Sequence, residues 1–236
     1  MQYVVALMLI GFVILAHEFG HFIAARIVGI PIKIFSIGFG PKLWAVKKRE
    51  TEYRIAVIPL GGYVMPDVED DKEFLALPVF KRIVMTAGGP IASVILPLFC
   101  FAIVNCLSTG LSLNSLFIKP FHQVYTIFSG VIIALLGMFS QHSQLSGIIG
   151  VVAQGGQFIG ASFVKALQFA GLISLNLAVL NLVPLPVLDG GKIFLYLMEV
   201  IHPKFSKLHY PLAIAGWVVV MGLMLYATVI DVVRLT

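Results

Sequence analysis

Residues 4–25 read VVALMLIGFVILAHEFGHFIAA, an apolar run into which three ionisable side chains are set, His17, Glu18 and His21. About 20 helical residues cross the ~30 Å of hydrocarbon in a bilayer, so the run is long enough to span one. It lacks the basic leader and small-residue cleavage site of a secretory signal, so it reads as a retained helix. Ionisable groups at membrane depth are costly and generally face the protein interior, where they mark function. The same segment therefore indicates both a membrane fold and a site.

The composition agrees. Hydrophobic residues make up 59% of the 236 and charged residues 11%, with a mean hydropathy of +1.01. A water-facing surface needs about 25% charged residues, so a soluble domain is excluded. Gly and Pro follow no repeat and there are only 2 Cys, which excludes collagen-like and disulfide-framework chains. Cys100 and Cys106 fall in an apolar stretch and read as packing thiols. The net charge of +5 does not signal nucleic-acid binding, because membrane topology accounts for where the cations gather.

Three further stretches can span: residues 83–107, 163–182 and 211–233. Residues 124–139 would reach only about 24 Å as a helix and read as a short, surface-lying or partly inserted helix. Ten of the sixteen Lys and Arg residues lie from Arg26 to Arg82, which makes that loop cytoplasmic and places the N-terminus outside. Residues 107–162 carry only Lys119 and read as outside, whereas Lys192, Lys204 and Lys207 read as inside. Four crossings satisfy this pattern, with both termini outside. Within the cytoplasmic loop, residues 32–38 and 51–58 read as strands, with turn residues Gly38, Gly40 and Pro41 between them and Gly61-Gly62 as the end. The acidic residues 66–73 read as a solvated connector.

In His17-Glu18-Phe19-Gly20-His21 the two imidazoles stand one helical turn apart, so both can grip one metal ion. The Glu between them can take a proton from water at that metal. The alternative is a set of polar groups that join helices by hydrogen bonds. A catalytic zinc with one open position needs a third protein ligand. His17 lies about 21 Å into its span, and Asp189, at the inner end of the third span, has comparable depth. Asp231 lies near the opposite face, so Asp189 is the expected third ligand. Taken alone, Asp189 could instead cap a helix. Pro184 and Pro186 in Asn181-Leu-Val-Pro-Leu-Pro-Val-Leu-Asp189-Gly-Gly191 disfavour helix, and unwound backbone at this depth must line a cavity or be covered. Asn181 and Asn176 are placed to hydrogen-bond an extended peptide or a developing oxyanion. For Asn176, hydrogen bonding between helices is an equally good reading. Asp189 and Asp231 fail the common depth that an aspartyl site needs, and Ser146 has no evident His partner for a serine site. Transport would need polar residues along several spans, and Lys165 and Asp231 are the main ones outside the site.

Together, His17–His21 and Asn181–Gly191 resemble the signatures of the site-2 protease family of intramembrane metalloproteases, a first-helix HExxH and a later NxxPxPxxDG. The match is close to the bacterial regulator of sigma-E protease group. Ser36-Ile-Gly-Phe-Gly-Pro41 and Thr51-Glu-Tyr-Arg-Ile-Ala-Val-Ile-Pro-Leu-Gly-Gly-Tyr63 resemble its re-entrant β-hairpin region. Gly88-Gly-Pro-Ile-Ala-Ser93 resembles its second-helix motif, and Leu145-Ser-Gly147 its approach to the third helix. The resemblance implies an α-helical integral membrane protein of about four transmembrane helices, a short membrane-associated helix and a cytoplasmic-side re-entrant β-hairpin (residues 32–63). It further implies one intramembrane metalloprotease domain over residues 1–236, in a bacterial inner membrane. Zn2+ would be held by His17, His21 and Asp189, with Glu18 as general base and Asn181 on the substrate backbone. Substrates would be single-span membrane proteins such as anti-sigma factors or signal-peptide remnants, taken from the lipid bilayer, with no nucleic acid involved. The hairpin would offer a strand edge to the unwound substrate. Ser93 stands where the family motif usually has Asn. Residues 108–123 leave no room for the PDZ domains that this group carries between its second and third spans. A catalytically silent protein that binds spans without cutting them, or a metal-binding or metal-transport membrane protein, is the alternative.

Overall fold

The computed structural model describes residues 1–137 and 147–235; Leu145 and Ser146 lie outside the described residues. The chain opens with α1 (Gln2–Ile27), followed by β1 (Ile32–Lys48), β2 (Thr51–Pro66) and the short α2 (Asp71–Ala76). Then come α3 (Val79–Thr109), a π-helical turn (Asn114–Ile118) running into α4 (Lys119–Gly137), α5 (Ile148–Ile159) and α6 (Phe163–Leu182). The chain continues with α7 (Asp189–Ile201), a 3-10 turn (Pro203–Leu208) and α8 (His209–Leu235).

Among the described residues, 5 helices are long and apolar enough to cross a membrane. The added one is Asn114–Gly137, 24 residues long, where the sequence suggested a short helix at 124–139. The polar residues Lys119, His122 and Gln123 masked its first turns in the hydropathy pattern. One of them is satisfied inside the bundle, since Gln123 Oε1 accepts from Asn105 Nδ2 of α3 at 2.8 Å.

Packing fixes the direction of each helix. Later residues of α3 meet earlier residues of α1, since Gly88 lies against Gly20 and Cys100 against Val13, so the two run antiparallel. Helix α6 runs parallel to α1, with Phe169 in one cluster with Ala6 and Ile10. Helix α4 runs against α3: Val124 packs with Phe101, and Ile127 and Phe128 reach Val94 and Leu98 in the same cluster. The unanticipated α5 lies against α1, its Ile159 in one cluster with Ala6 and its Gly156 against Tyr3.

The contact between α1 and α3 brings two backbones together. A Cβ at Gly20 would fall 2.6 Å from Ala92 Cβ and closer still to the Gly88 carbonyl, and one at Gly88 would meet the Gly20 carbonyl in the same way. Small residues at a helix crossing gain van der Waals contact where lipid offers no hydrophobic driving force. Farther along α3, Pro97 cannot donate to the Ser93 carbonyl one turn back. Ser174 Oγ of α6 donates to that carbonyl instead, at 2.8 Å, and is fully buried.

The strands β1 and β2 form a two-stranded antiparallel sheet that folds over itself. Residues Ile34, Phe35, Ser36 and Ile37 pair with Met65, Val64, Tyr63 and Gly62 on one side and with Glu52, Tyr53, Arg54 and Ile55 on the other. Residues 34–37 are thus flanked on both sides, residues 52–55 pair in turn with residues 44–47, and β2 continues past the expected end at Gly61-Gly62 to Pro66. Gly61 packs against Ile14 midway along α1, while Thr51 at the other end takes a 2.6 Å hydrogen bond from Arg26.

Candidate active site

Helix α6 ends at Leu182, and residues 183–188 are non-helical before α7 begins at Asp189. The break falls where Pro184 and Pro186 remove backbone donors. It brings Asp189 beside the middle of α1, 172 residues away in sequence. His17 Nε2 lies 3.1 Å from Asp189 Oδ2, His21 Nε2 lies 3.3 Å from the same oxygen, and the two Nε2 atoms are 3.2 Å apart. His17 and Asp189 are buried, at 4% and 6% exposure.

The opposite ring nitrogens are held by partners on α3. His17 Nδ1 is 2.9 Å from Ser93 Oγ, and His21 Nδ1 is 2.9 Å from the Met85 carbonyl, which accepts its proton. Where Nδ1 carries the proton in each ring, both Nε2 atoms present lone pairs, and two imidazole nitrogens and one carboxylate oxygen converge on one point. Such a donor set suits a metal cation. Tetrahedral zinc bonds N and O at about 2.0–2.2 Å, which sets ligand atoms roughly 3.3–3.6 Å apart, and the observed sides of 3.1, 3.2 and 3.3 Å lie at or just under that range. Space is kept as well: a Cβ at Gly89 would stand 2.6 Å from His17 Nε2 and nearer to His21 Nε2, so the missing side chain leaves room for the ion.

Sequence reading missed Ser93 and Gly89 as parts of the site. Ser93, noted above only as standing where the family motif usually has Asn, meets the His17 ring with its hydroxyl, and its carbonyl is held by Ser174. A partner of this kind typically changes metal affinity 10- to 100-fold.

Glu18, next to His17, faces the same cavity of about 680 Å³, whose wall includes Asn181, Pro186, Lys192 and Tyr196 with residues 64–66 of β2. Asn181 makes no side-chain hydrogen bond among the described residues and is free to bind a ligand. Asn176 does not join it: its Nδ2 donates 2.9 Å to Leu172 O on its own helix. The backbone periodicity accounts for this, since a carbonyl one turn back is always within reach of a short polar side chain. Asp231 has a placed backbone in α8, at the far end from the His209 that lines the cavity.

Helix α7, which carries Asp189, is anchored to α3. Arg82, only 1% exposed, makes hydrogen bonds of 2.9 and 2.8 Å to the two carboxylate oxygens of Glu199, and its guanidinium lies 4.7 Å from the Tyr196 ring centroid. The Arg82 hydrogen bonds hold the Glu199 carboxyl below its ordinary range, against the opposing effect of burial. Burial pushes the Tyr196 phenol up to about 12, although the nearby Arg82 charge opposes it, so it stays protonated.

A family model described as peptidase family M50 matches residues 5–225. Three relatives, each named as a candidate zinc metalloprotease, match nearly the whole chain. The one from Clostridium perfringens is 26% identical over 332 positions, covering 99% of this chain and 99% of its own. The one from Campylobacter jejuni is 24% identical over 349 positions, covering 99% and 94%. The one from Clostridium acetobutylicum is 25% identical over 330 positions, covering 98% and 97%. These alignments are longer than the 236 residues of this chain, so the relatives hold residues within the shared length that it lacks.

Proposed function

The chain belongs to peptidase family M50, the zinc-dependent site-2 proteases, and on that premise we propose that it cuts peptide bonds within or beside the membrane spans of single-span membrane proteins. The convergence of His17, His21 and Asp189 on one point at a cavity wall between apolar helices carries this reading.

His17, His21 and Asp189 would hold a zinc ion, which would supply a Lewis acid able to activate water near pH 7. Glu18 is the base: it takes a proton from the attacking water and returns it to the amine as the C–N bond breaks. Substrate must be unwound to be cut, since a helix shields its own carbonyls. Two features support a wall for extended peptide. Residues 62–66 of β2 pair only on the β1 side, and Val64 and Met65 line the cavity, so their free edge can take an added strand. Asn181 offers an uncommitted amide to the same peptide backbone.

The hairpin is read as re-entrant, because its glycine turn meets the middle of α1 while Lys47, Lys48 and Arg49 lie toward the Arg26 end. The N-terminus is placed outside by the concentration of Lys and Arg between Arg26 and Arg82, in a bacterial cytoplasmic membrane. The described residues are read as one metalloprotease unit. Its substrates are single-span proteins of the anti-sigma-factor or signal-peptide-remnant kind.

The test is cleavage of a model single-span substrate by purified protein beside Glu18→Gln, with zinc measured in both. Glu18→Gln is expected to keep its zinc and lose cleavage. Equal cutting by both proteins would remove Glu18 from the mechanism, and zinc without cutting of any span would favour a silent span-binding protein.

A further inference from the structure

Peptide hydrolysis places negative charge on the carbonyl oxygen of the scissile bond, next to a wall that already carries the carboxylates of Glu18 and Asp189. Such sites gain most from a donor aimed at the oxygen where charge develops. Among the described side chains lining the cavity, Lys192 is the one fixed cation. It lies three residues beyond Asp189, on the same face of α7. Its Nζ is 3.7 Å from Asp189 Oδ1, while Oδ2 of that carboxylate faces the two imidazoles.

That separation is an ion pair but too long for a charge-assisted hydrogen bond, which is about 2.7–2.9 Å. The Lys192 side chain is 45% exposed and closes no hydrogen bond among the described residues. Its N–H groups are therefore uncommitted and open to the cavity. The other polar groups are less suited. Asn181 is neutral, and His209 Nε2 faces Glu199 at 3.3 Å.

We propose that Lys192 is a catalytic residue, its ammonium donating a hydrogen bond to the scissile carbonyl oxygen as the bond is cut. This deepens the protease reading and rests on it. When the water oxygen bonds to the carbonyl carbon, the C=O π pair moves onto oxygen and Lys192 hydrogen-bonds the resulting anion. The pair returns as the C–N bond breaks, and the amine leaves with the proton carried by Glu18. Lys192 keeps all its protons throughout.

The experiment compares wild type, Lys192→Met and Lys192→Arg as full-length protein, by zinc affinity in chelator competition and by kcat and KM on a model single-span substrate. Lys192→Met is expected to bind zinc within about threefold of wild type and to keep its KM, while kcat falls roughly 100- to 1,000-fold. Lys192→Arg retains the charge and is expected to recover most of that loss. An unchanged kcat in Lys192→Met would overturn the proposal. So would a kcat loss that follows zinc loss and is restored by added zinc, which would make Lys192 a positioning residue for Asp189, or a change confined to KM. Wild type that cuts nothing would overturn the protease reading and this assignment with it, whereas wild type and Lys192→Met cutting alike would overturn only the assignment.

Discussion

Replacing Gly89 by Ala puts a methyl group where the metal must sit. The new Cβ would lie 2.6 Å from His17 Nε2, whereas ordinary contact begins at 3.4 Å and real Cβ atoms essentially never come below 3.0 Å. His17 would have to retreat by about 0.4–0.8 Å, against a tolerance of ~0.2 Å in metal–ligand distances. Separating the helices offers no easy relief, because Gly20 and Gly88 already hold α1 and α3 at backbone contact one turn away. Both imidazoles are displaced together, so the loss should reach at least the upper end of the 10- to 100-fold range seen for supporting residues, about 3 kcal/mol at 100-fold. Chelator competition on purified Gly89→Ala, with circular dichroism and gel filtration as checks on folding, measures it. Gly130→Ala, which meets nothing within 4 Å, is the control. Zinc affinity in folded Gly89→Ala equal to that of wild type would refute the reasoning.

Ser93→Ala removes the partner of His17 Nδ1 and should weaken zinc binding by roughly 10- to 100-fold; Ser93→Asn, able to accept the same proton, should restore much of it in the same titration. Asn181→Ala should raise KM for a span substrate, whereas Asn176→Ala, whose amide serves only its own helix, should leave kcat and KM near wild type. Arg82→Ala removes both guanidinium hydrogen bonds from Glu199, leaving His209 beside it, and should cost on the order of 3 kcal/mol or less, visible as a lower thermal midpoint. Because the folded Glu199 carboxyl is held below its ordinary 4.5, its contribution is complete above that pH and lost as pH falls through the lower folded value. Glu199→Gln should therefore flatten the acid limb of a stability curve measured from pH 7 to 3.

What could be read ahead of the fold was whatever a short stretch of chain encodes by itself. His17 and His21 stand one helical turn apart in any helix, and Asp189 could be matched to them by depth because deep acids are scarce. The end of α6 before Pro184 follows from backbone chemistry alone. Ser93 and Gly89 could not be read that way, since their roles arise from the register of α3 against α1, set at a glycine contact that no local pattern reveals. For Asn176 a role between helices was as good a reading as a substrate contact, and its amide in fact donates within its own helix. Helix α5 was overlooked because Gly150, Gln154, Gly155, Gly156 and Gln157 dilute a 12-residue stretch that spans nothing by itself. The doubled pairing of residues 34–37 required two distant parts of β2 to flank one strand.

The glycine contact between α1 and α3 has a further consequence, for maturation. A small zinc-dependent domain acquires its shape only when the metal arrives. Here the rings are aimed by Ser93 and by the Met85 carbonyl, and the helices meet through Gly20 and Gly88, none of which needs an ion. On the proposed reading, the apoprotein can thus be completed in the bilayer first and loaded afterwards, through the same cavity by which a peptide would approach. Cargo and cutter's edge then share one doorway: a peptide lying in it shuts the ion in, so occupied protein should surrender its zinc to a chelator more slowly than empty protein.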